Sequence, residues 1–363
     1  MANPYAGRPD YQFWKGGRGF ERPETFDPVT STSFKIEPSD AIVTAGSCFA
    51  QHIARRLPQN GYRVLVTERA HPLIPDKHAA DFYYGVFSAR YGNIYTARQL
   101  RQLLERSYGA FEPREAAWPL EDSRWVDPFR PQIQPGGFVS IDELLLDREI
   151  HFLAVRRAID EMSIFIFTLG LTEAWVDRAD GSVFPLAPGV AGGSYDPGRH
   201  AFVNFSARQT ADDLEWSLNF IRQRNPGVKF ILTVSPVPLN ATAVDRHVVV
   251  STCYSKAALR VAAEDVSGRL SHTDYFPSYE IITGPHAGNG YFAEDRRSVT
   301  ESGVAHVMRV FLRHYGGDAS RSAAFAGADS SETERRAAAR QAAADMNRVI
   351  EMLCDEEAID NTD

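Results

Sequence analysis

No run of this sequence is long and apolar enough to cross a bilayer, so a membrane-spanning protein is not expected. Cysteine is scarce. Cys48, Cys253 and Cys354 are widely spaced and odd in number, which argues against a disulfide framework and for a reducing compartment. No pair of them has metal-ligand spacing, and neither a metal nor a cofactor is expected. A basic excess is also missing. Lys and Arg number 39 against 47 Asp and Glu, for a formal charge of −8, so there is no field to hold nucleic acid. The chain opens Met1-Ala2-Asn3-Pro4-Tyr5, without a charged-then-apolar leader, and cytoplasm is the expected compartment. No internal repeat is found, and nothing in the pattern fixes an oligomeric state. The 44% hydrophobic and 24% charged content over 363 residues is that of a globular chain able to build a sizeable core.

The chain is organised around Thr44-Ala45-Gly46-Ser47-Cys48-Phe49-Ala50. Asp40-Ala41-Ile42-Val43 before it is short and apolar, the pattern of a buried strand. Ala50, Ile53, Ala54 and Leu57 after it recur at helical spacing. Gly46-Ser47 therefore falls at a strand-to-helix turn. Gly46 can take backbone angles that a Cβ forbids. Ser47 then meets the free N–H groups of a helix start, where an anion is favoured. That position suits an acyl-transfer nucleophile. It equally suits a plain helix cap.

Along the chain, residues 1–39 read as an extended arm pinned by Tyr11, Phe13, Trp14, Phe20 and Phe26. Tyr62–Val66 reads as a second strand, followed by a loop over 67–90. A helix is expected from Thr96, with Leu100, Leu103 and Leu104 on its apolar face. Residues 110–138 read as irregular cover, and 141–161 as a helix. Ser163–Gly170 and Lys229–Pro236 are continuous apolar runs, the signature of strands buried on both faces. Residues 176–206 read as Gly/Pro-rich loop, 210–224 and 254–270 as helices, and 275–282 as a last strand with Pro277 at an edge. After a loop over 283–297 comes a helix over 299–314, entered through a Ser298/Glu301 capping box. Residues 316–331 have linker composition, and 332–357 read as a charged, Ala-rich helix. Alternating strands and helices predict an α/β sandwich with a central parallel sheet over residues 40–315.

In such sheets ligands gather beyond the carboxyl ends of the strands. Gly46-Ser47, Gly92-Asn93, Gly170-Leu171-Thr172-Glu173 and the loop from Thr283 to Arg297 should all arrive there. A glycine lets backbone approach a substrate, and its N–H can join an oxyanion hole. Cys48, one residue along the helix from Ser47, is turned about 100° away and reads as packing. Arg69, Arg296 and Arg297 are candidates to hold an anion.

These blocks carry a resemblance. Gly46-Ser47-Cys48-Phe49-Ala50 is the name motif of the GSCFA family, which is similar to the SGNH/GDSL hydrolases. Gly92-Asn93-Ile94-Tyr95, Phe167-Thr168-Leu169-Gly170, Thr233-Val234-Ser235-Pro236-Val237, Tyr254-Ser255-Lys256 and Tyr275–Glu280 resemble further blocks of it. The resemblance implies a flavodoxin-like three-layer α/β/α fold. It implies a serine esterase or O-acyltransferase acting on a small-molecule or carbohydrate acyl ester. Ser47 would be the nucleophile. Its own N–H, that of Gly92 and a side chain at Thr172, where the superfamily has Asn, would hold the oxyanion, with Asn93 and Glu173 alongside. The superfamily's Asp-x-x-His matches Asp295-Arg296-Arg297-Ser298, so the histidine is replaced by Ser298. Three outcomes follow: another histidine supplies the base, the site uses another mechanism, or catalysis is lost. His286 lies in the right loop, with Asp295 to orient it; His71 and His247 lie in other loops, and His306 lies inside the final helix. The other reading is a binding or scaffold protein that keeps the fold without the triad.

Overall fold

The computed structural model describes residues 3–14, 23–317 and 359. Its strands are β1 (Ile42–Gly46), β2 (Trp118–Pro119), β3 (Trp125–Val126), β4 (Ile164–Leu169), β5 (Glu173–Asp177), β6 (Val183–Phe184), β7 (His200–Asn204), β8 (Lys229–Val234) and β9 (Thr273–Tyr275). Its helices are α1 (Phe49–Gln59), α2 (Asp76–Asp81), α3 (Ala97–Ser107), α4 (Ile141–Glu161), α5 (Ala207–Arg224), α6 (Val248–Arg269), α7 (Ser278–Thr283) and α8 (Glu301–Tyr315).

The central sheet runs β1-β4-β8-β9, all parallel. Alternation along its strands sends side chains to two layers. Val43, Ala45, Phe165, Phe167, Leu169, Phe230, Leu232 and Val234 pack with α3, α4, α5 and α6. Ile42, Ile164, Ile166 and Ile231 pack with α1, α7 and α8. Both faces are covered, which is why these strands read as unbroken apolar runs. The fold is the expected three-layer α/β/α sandwich. No helix among the described residues is long and apolar enough to cross a membrane.

Several expectations are corrected. Tyr62–Val66 forms no strand; Val64 makes one parallel bridge to Ile42, on the outer side of β1. That bridge still sets the order of a flavodoxin-like sheet, with its switch point between β1 and β4. Residues 176–206 are not simply loop. β5, β6 and β7 form a three-stranded antiparallel sheet, with Glu173 opposite Asn204 and Trp175 opposite Phe202. The last strand stops at Tyr275, and α7 follows Pro277, which cannot donate to a ladder. The final helix is capped by Thr300, whose side chain accepts from Gly303 N–H, and not by Ser298. In the arm, Tyr11 and Trp14 are 63% and 76% exposed and lie outside the core. The pinned part comes later: Ile36 N–H donates to Tyr315 O (2.8 Å), and Phe26 stacks on His286. Phe20, the linker beyond Gly317 and the expected helix over 332–357 lie outside the described residues.

Candidate active site

β1 ends in Gly46 at φ +131°, where a Cβ would sit 2.2 Å from Thr168 O and 2.7 Å from Thr168 N. Only glycine fits between these strand ends. Ser47 follows, 3% exposed. Its carbonyl accepts from Ala50 N (2.8 Å), but Cys48 is the N-cap of α1 and no side chain caps that helix. The plain capping role for Ser47 is thereby removed. Its Oγ is buried and has no hydrogen-bond partner among the described residues.

Two further segments close on Ser47. Gly92, at φ +70°, turns the chain so that Ile94 N–H donates to Gly46 O (2.8 Å). Tyr95 O accepts from Gly170 N (3.1 Å) and Leu171 N (2.9 Å). A Cβ on Gly170 would lie 2.9 Å from Ser47 Cβ and 3.1 Å from Tyr95 O. Gly46-Ser47, Gly92–Tyr95 and Gly170 therefore meet at the switch point. Asn93 is 4% exposed beside them.

The expected oxyanion donors are mostly committed to structure. Ser47 N–H donates to Thr168 O (3.1 Å). Thr172 is fully buried; its Oγ1 donates to Asn204 Oδ1 (2.7 Å) and its N–H to Ser255 Oγ (3.0 Å). Glu173 accepts from Thr242 Oγ1 (2.8 Å). The β5–β7 pairing brings Asn204 to Thr172, so the side chain expected to face substrate serves the second sheet instead. Gly92 N–H makes no hydrogen bond among the described residues.

The expected triad is not assembled. His286 sits in a short turn (Pro285–Ala287) under the arm, stacked on Phe26 at 3.7 Å, with Nε2 on Ile281 O (2.8 Å). Burial lowers its pKa, against the Ile281 carbonyl. Asp295 is exposed and closes its own turn. It accepts from Arg297 N (2.9 Å), Ser298 N (2.9 Å) and Ser298 Oγ (2.5 Å). Partial burial would raise its pKa, but these donors bring it below the usual value. His71 Nδ1 accepts from Leu73 N, and His247 caps α6 by accepting from Val249 N. His306 joins Tyr291 OH (2.8 Å) to Phe26 O (2.7 Å). None reaches Ser47 Oγ in this conformation.

Other residues shape this end of the sheet. Lys256, 1% exposed, donates from Nζ to Gly170 O (2.8 Å), so α6 holds the turn after β4 through Ser255 and Lys256 together. The signal was present: Ser251 and Ser255 share the buried stripe of Leu259, Ala262 and Val266. Behind Gly92-Asn93 lies a buried ionic network. Arg90 meets Asp147 (2.8 Å) and Glu68, Arg130 meets Asp147 (2.8 Å) and Asp127 (3.0 Å), and Arg148 meets Asp127 (3.0 Å). His151 Nδ1 pairs with Glu68 (2.8 Å). Burial alone would raise Glu68, but His151 and Arg130 hold it down to about 2. Among the described residues no group of three or more His, Cys, Asp or Glu is arranged to hold a metal.

A model of the GSCFA family matches residues 41–311. A family 3 carbohydrate esterase from Clostridium thermocellum overlays with a TM-score of 0.33 at 10% identity, over 78% of this chain and 98% of that one. So loose an overlay carries no argument about chemistry. No curated protein matches the chain.

Proposed function

The chain belongs to the GSCFA family, and on that premise we propose that it is an SGNH-type serine ester hydrolase or O-acyltransferase with Ser47 as nucleophile. One observation carries the reading. Ser47 Oγ stands at the carboxyl end of β1, at the switch point, buried and without a hydrogen-bond partner among the described residues. An unmade buried hydroxyl costs about 1–3 kcal/mol, and such groups call for a role. In the reaction Oγ attacks the acyl carbon and passes its proton to a base. The developing oxyanion takes the Gly92 N–H, and the proton goes to the departing alcohol. Water or a second alcohol then releases the acyl group from Ser47. His286 is the proposed base; its depressed pKa keeps the ring neutral near pH 7, as a base must be. Reaching Ser47 requires the ring to leave Ile281 O, a tightening that apo sites commonly await. The acceptor class, acylated carbohydrate among others, rests on the family alone.

A second reading has its own observation. Asp295 is engaged by Ser298 and no imidazole lies within hydrogen-bond reach of Ser47, as in a binding or scaffold protein that keeps the fold without the triad. Treatment with a fluorophosphonate and with p-nitrophenyl acetate separates the two. Adduct and hydrolysis that vanish in Ser47→Ala support the enzyme. Their absence from the folded wild-type chain removes the esterase reading. Turnover that survives His286→Ala removes His286 as base and sends the question to His71→Ala and His247→Ala.

A further inference from the structure

A groove of about 610 Å³ lies between the end of α3, the segment 109–116 and α4, within the size range of small-molecule sites. Arg106 lines it and is only 7% exposed. Its guanidinium lies 3.8 Å over the Phe129 ring and 5.3 Å from that of Phe152. It makes no hydrogen bond and no ion pair among the described residues. The other arginines buried to this degree are all paired: Arg90 with Asp147, Arg130 with Asp127 and Asp147, Arg148 with Asp127. Burial pulls the Arg106 pKa down to about 9, only partly offset by Asp127. A guanidinium at the wall of a groove, with neither a hydrogen bond nor an ion pair among the described residues, is a ready receiver for an oxyanion.

The rest of the groove narrows the ligand. Phe111 and Phe152 supply apolar wall. Arg148 is neutralised by Asp127, and Arg156 donates to Ser107 O. Glu112 and Glu149 stand exposed at the rim and repel a doubly charged ligand. We infer that this groove binds a monocarboxylate carried on an apolar or aromatic body, with Arg106 receiving the carboxylate. Arg106 also lines a narrow void that reaches Asn93, so the ligand would sit on the far side of Arg106 from the Ser47 end. The inference does not depend on Ser47 chemistry.

Titration of the full chain with benzoate, benzamide and phenyl phosphate, followed by calorimetry, tests this. Benzoate should bind saturably, and benzamide and phenyl phosphate at least about tenfold more weakly. Arg106→Gln should weaken benzoate by about tenfold or more. Ala116→Trp, built from an exposed wall position, should fill the groove and abolish binding with Arg106 intact. The inference is overturned by no saturable benzoate binding to about 10 mM, by benzamide binding equally well, by tighter binding of phenyl phosphate, or by unchanged affinity in both variants.

Discussion

Ser47→Ala should make this protein more stable. Most buried polar-to-apolar truncations leave a partner stranded; here there is no partner to strand, because Ser47 Oγ makes no hydrogen bond among the described residues. Desolvating a hydroxyl without a partner costs about 1–3 kcal/mol. Removing one oxygen gives back part of that in lost contacts, well under the cost of a methylene. The net expectation is a gain of about 1 kcal/mol. For a domain of this size that corresponds to about 2–4 °C in Tm. In urea, the midpoint should rise with an unchanged slope. Thr172→Ala is the matched control, since that hydroxyl donates to Asn204 at 2.7 Å. It should lose about 1 kcal/mol by leaving the part-buried Asn204 Oδ1 without its donor. If Ser47→Ala instead destabilises by 1 kcal/mol or more, the serine has a partner after all. The argument that it is held against stability for chemistry then fails.

Gly46→Ala should cost about 3–5 kcal/mol, from a left-handed backbone and a Cβ 2.2 Å from Thr168 O. Gly61→Ala, at φ +82° with open space, should cost only about 1–2 kcal/mol, so equal losses in urea melts would contradict the close approach. Stability should fall on acidification from pH 6.5 towards 4. His151 is held neutral by burial and by Arg130, down to about 4 from 6.5, so the unfolded chain binds the extra proton in that window. His52 is lowered to about 4 over the same window, so His151→Gln should take away part of this limb of a stability–pH curve, and an unchanged slope would refute the assignment; below it, Glu68, lowered to about 2, extends the loss. Lys256→Met should destabilise by about 1–3 kcal/mol by leaving Gly170 O without its donor. It should speed hydrogen exchange at Gly170 and Leu171, and unchanged exchange would deny Lys256 its hold on that turn.

The central architecture was legible because its signals are local. β1, the Gly46 turn and α1 follow from one apolar run and one helical period, and the observed buried face of α1 includes Ala50, Ile53, Ala54 and Leu57. Helix α4 has its expected limits, Ile141–Glu161, since Ser140 caps it by accepting from Glu143 N. The small sheet was hidden because β5 and β7 are each five residues long and separated by Gly- and Pro-rich chain. Their half-buried faces exist only once they pair. Thr300 rather than Ser298 caps α8 because Ser298 is taken by Asp295. The place of His286 in a loop is legible in the sequence, but which way its ring turns depends on Phe26, more than 250 residues away in sequence. Arg106 gave no signal, since an arginine in an amphipathic helix reads as surface.

The geometry around Ser47 also sets how fast any reaction can be. At this end of the sheet the N–H groups of Ser47, Gly170, Leu171 and Thr172 are all committed to protein acceptors. So is the Thr172 hydroxyl. Of the expected oxyanion donors, the N–H of Gly92 makes no hydrogen bond among the described residues. One missing oxyanion donor costs about 2.7–4 kcal/mol, or a factor of about 100–1,000 in turnover. A chain working with the arrangement described here would therefore be a slow esterase even with a base in reach. Fast, Ser47-dependent turnover would demand that substrate binding frees further donors. The first to free is the Thr172 hydroxyl, because releasing it breaks a side-chain hydrogen bond to part-buried Asn204, whereas releasing Ser47 N–H breaks the backbone hydrogen bond that ends the β1–β4 ladder. On this reasoning Asn204→Ala should raise turnover where Thr172 is the donor being withheld. It should leave turnover unchanged where the hole is built from backbone alone.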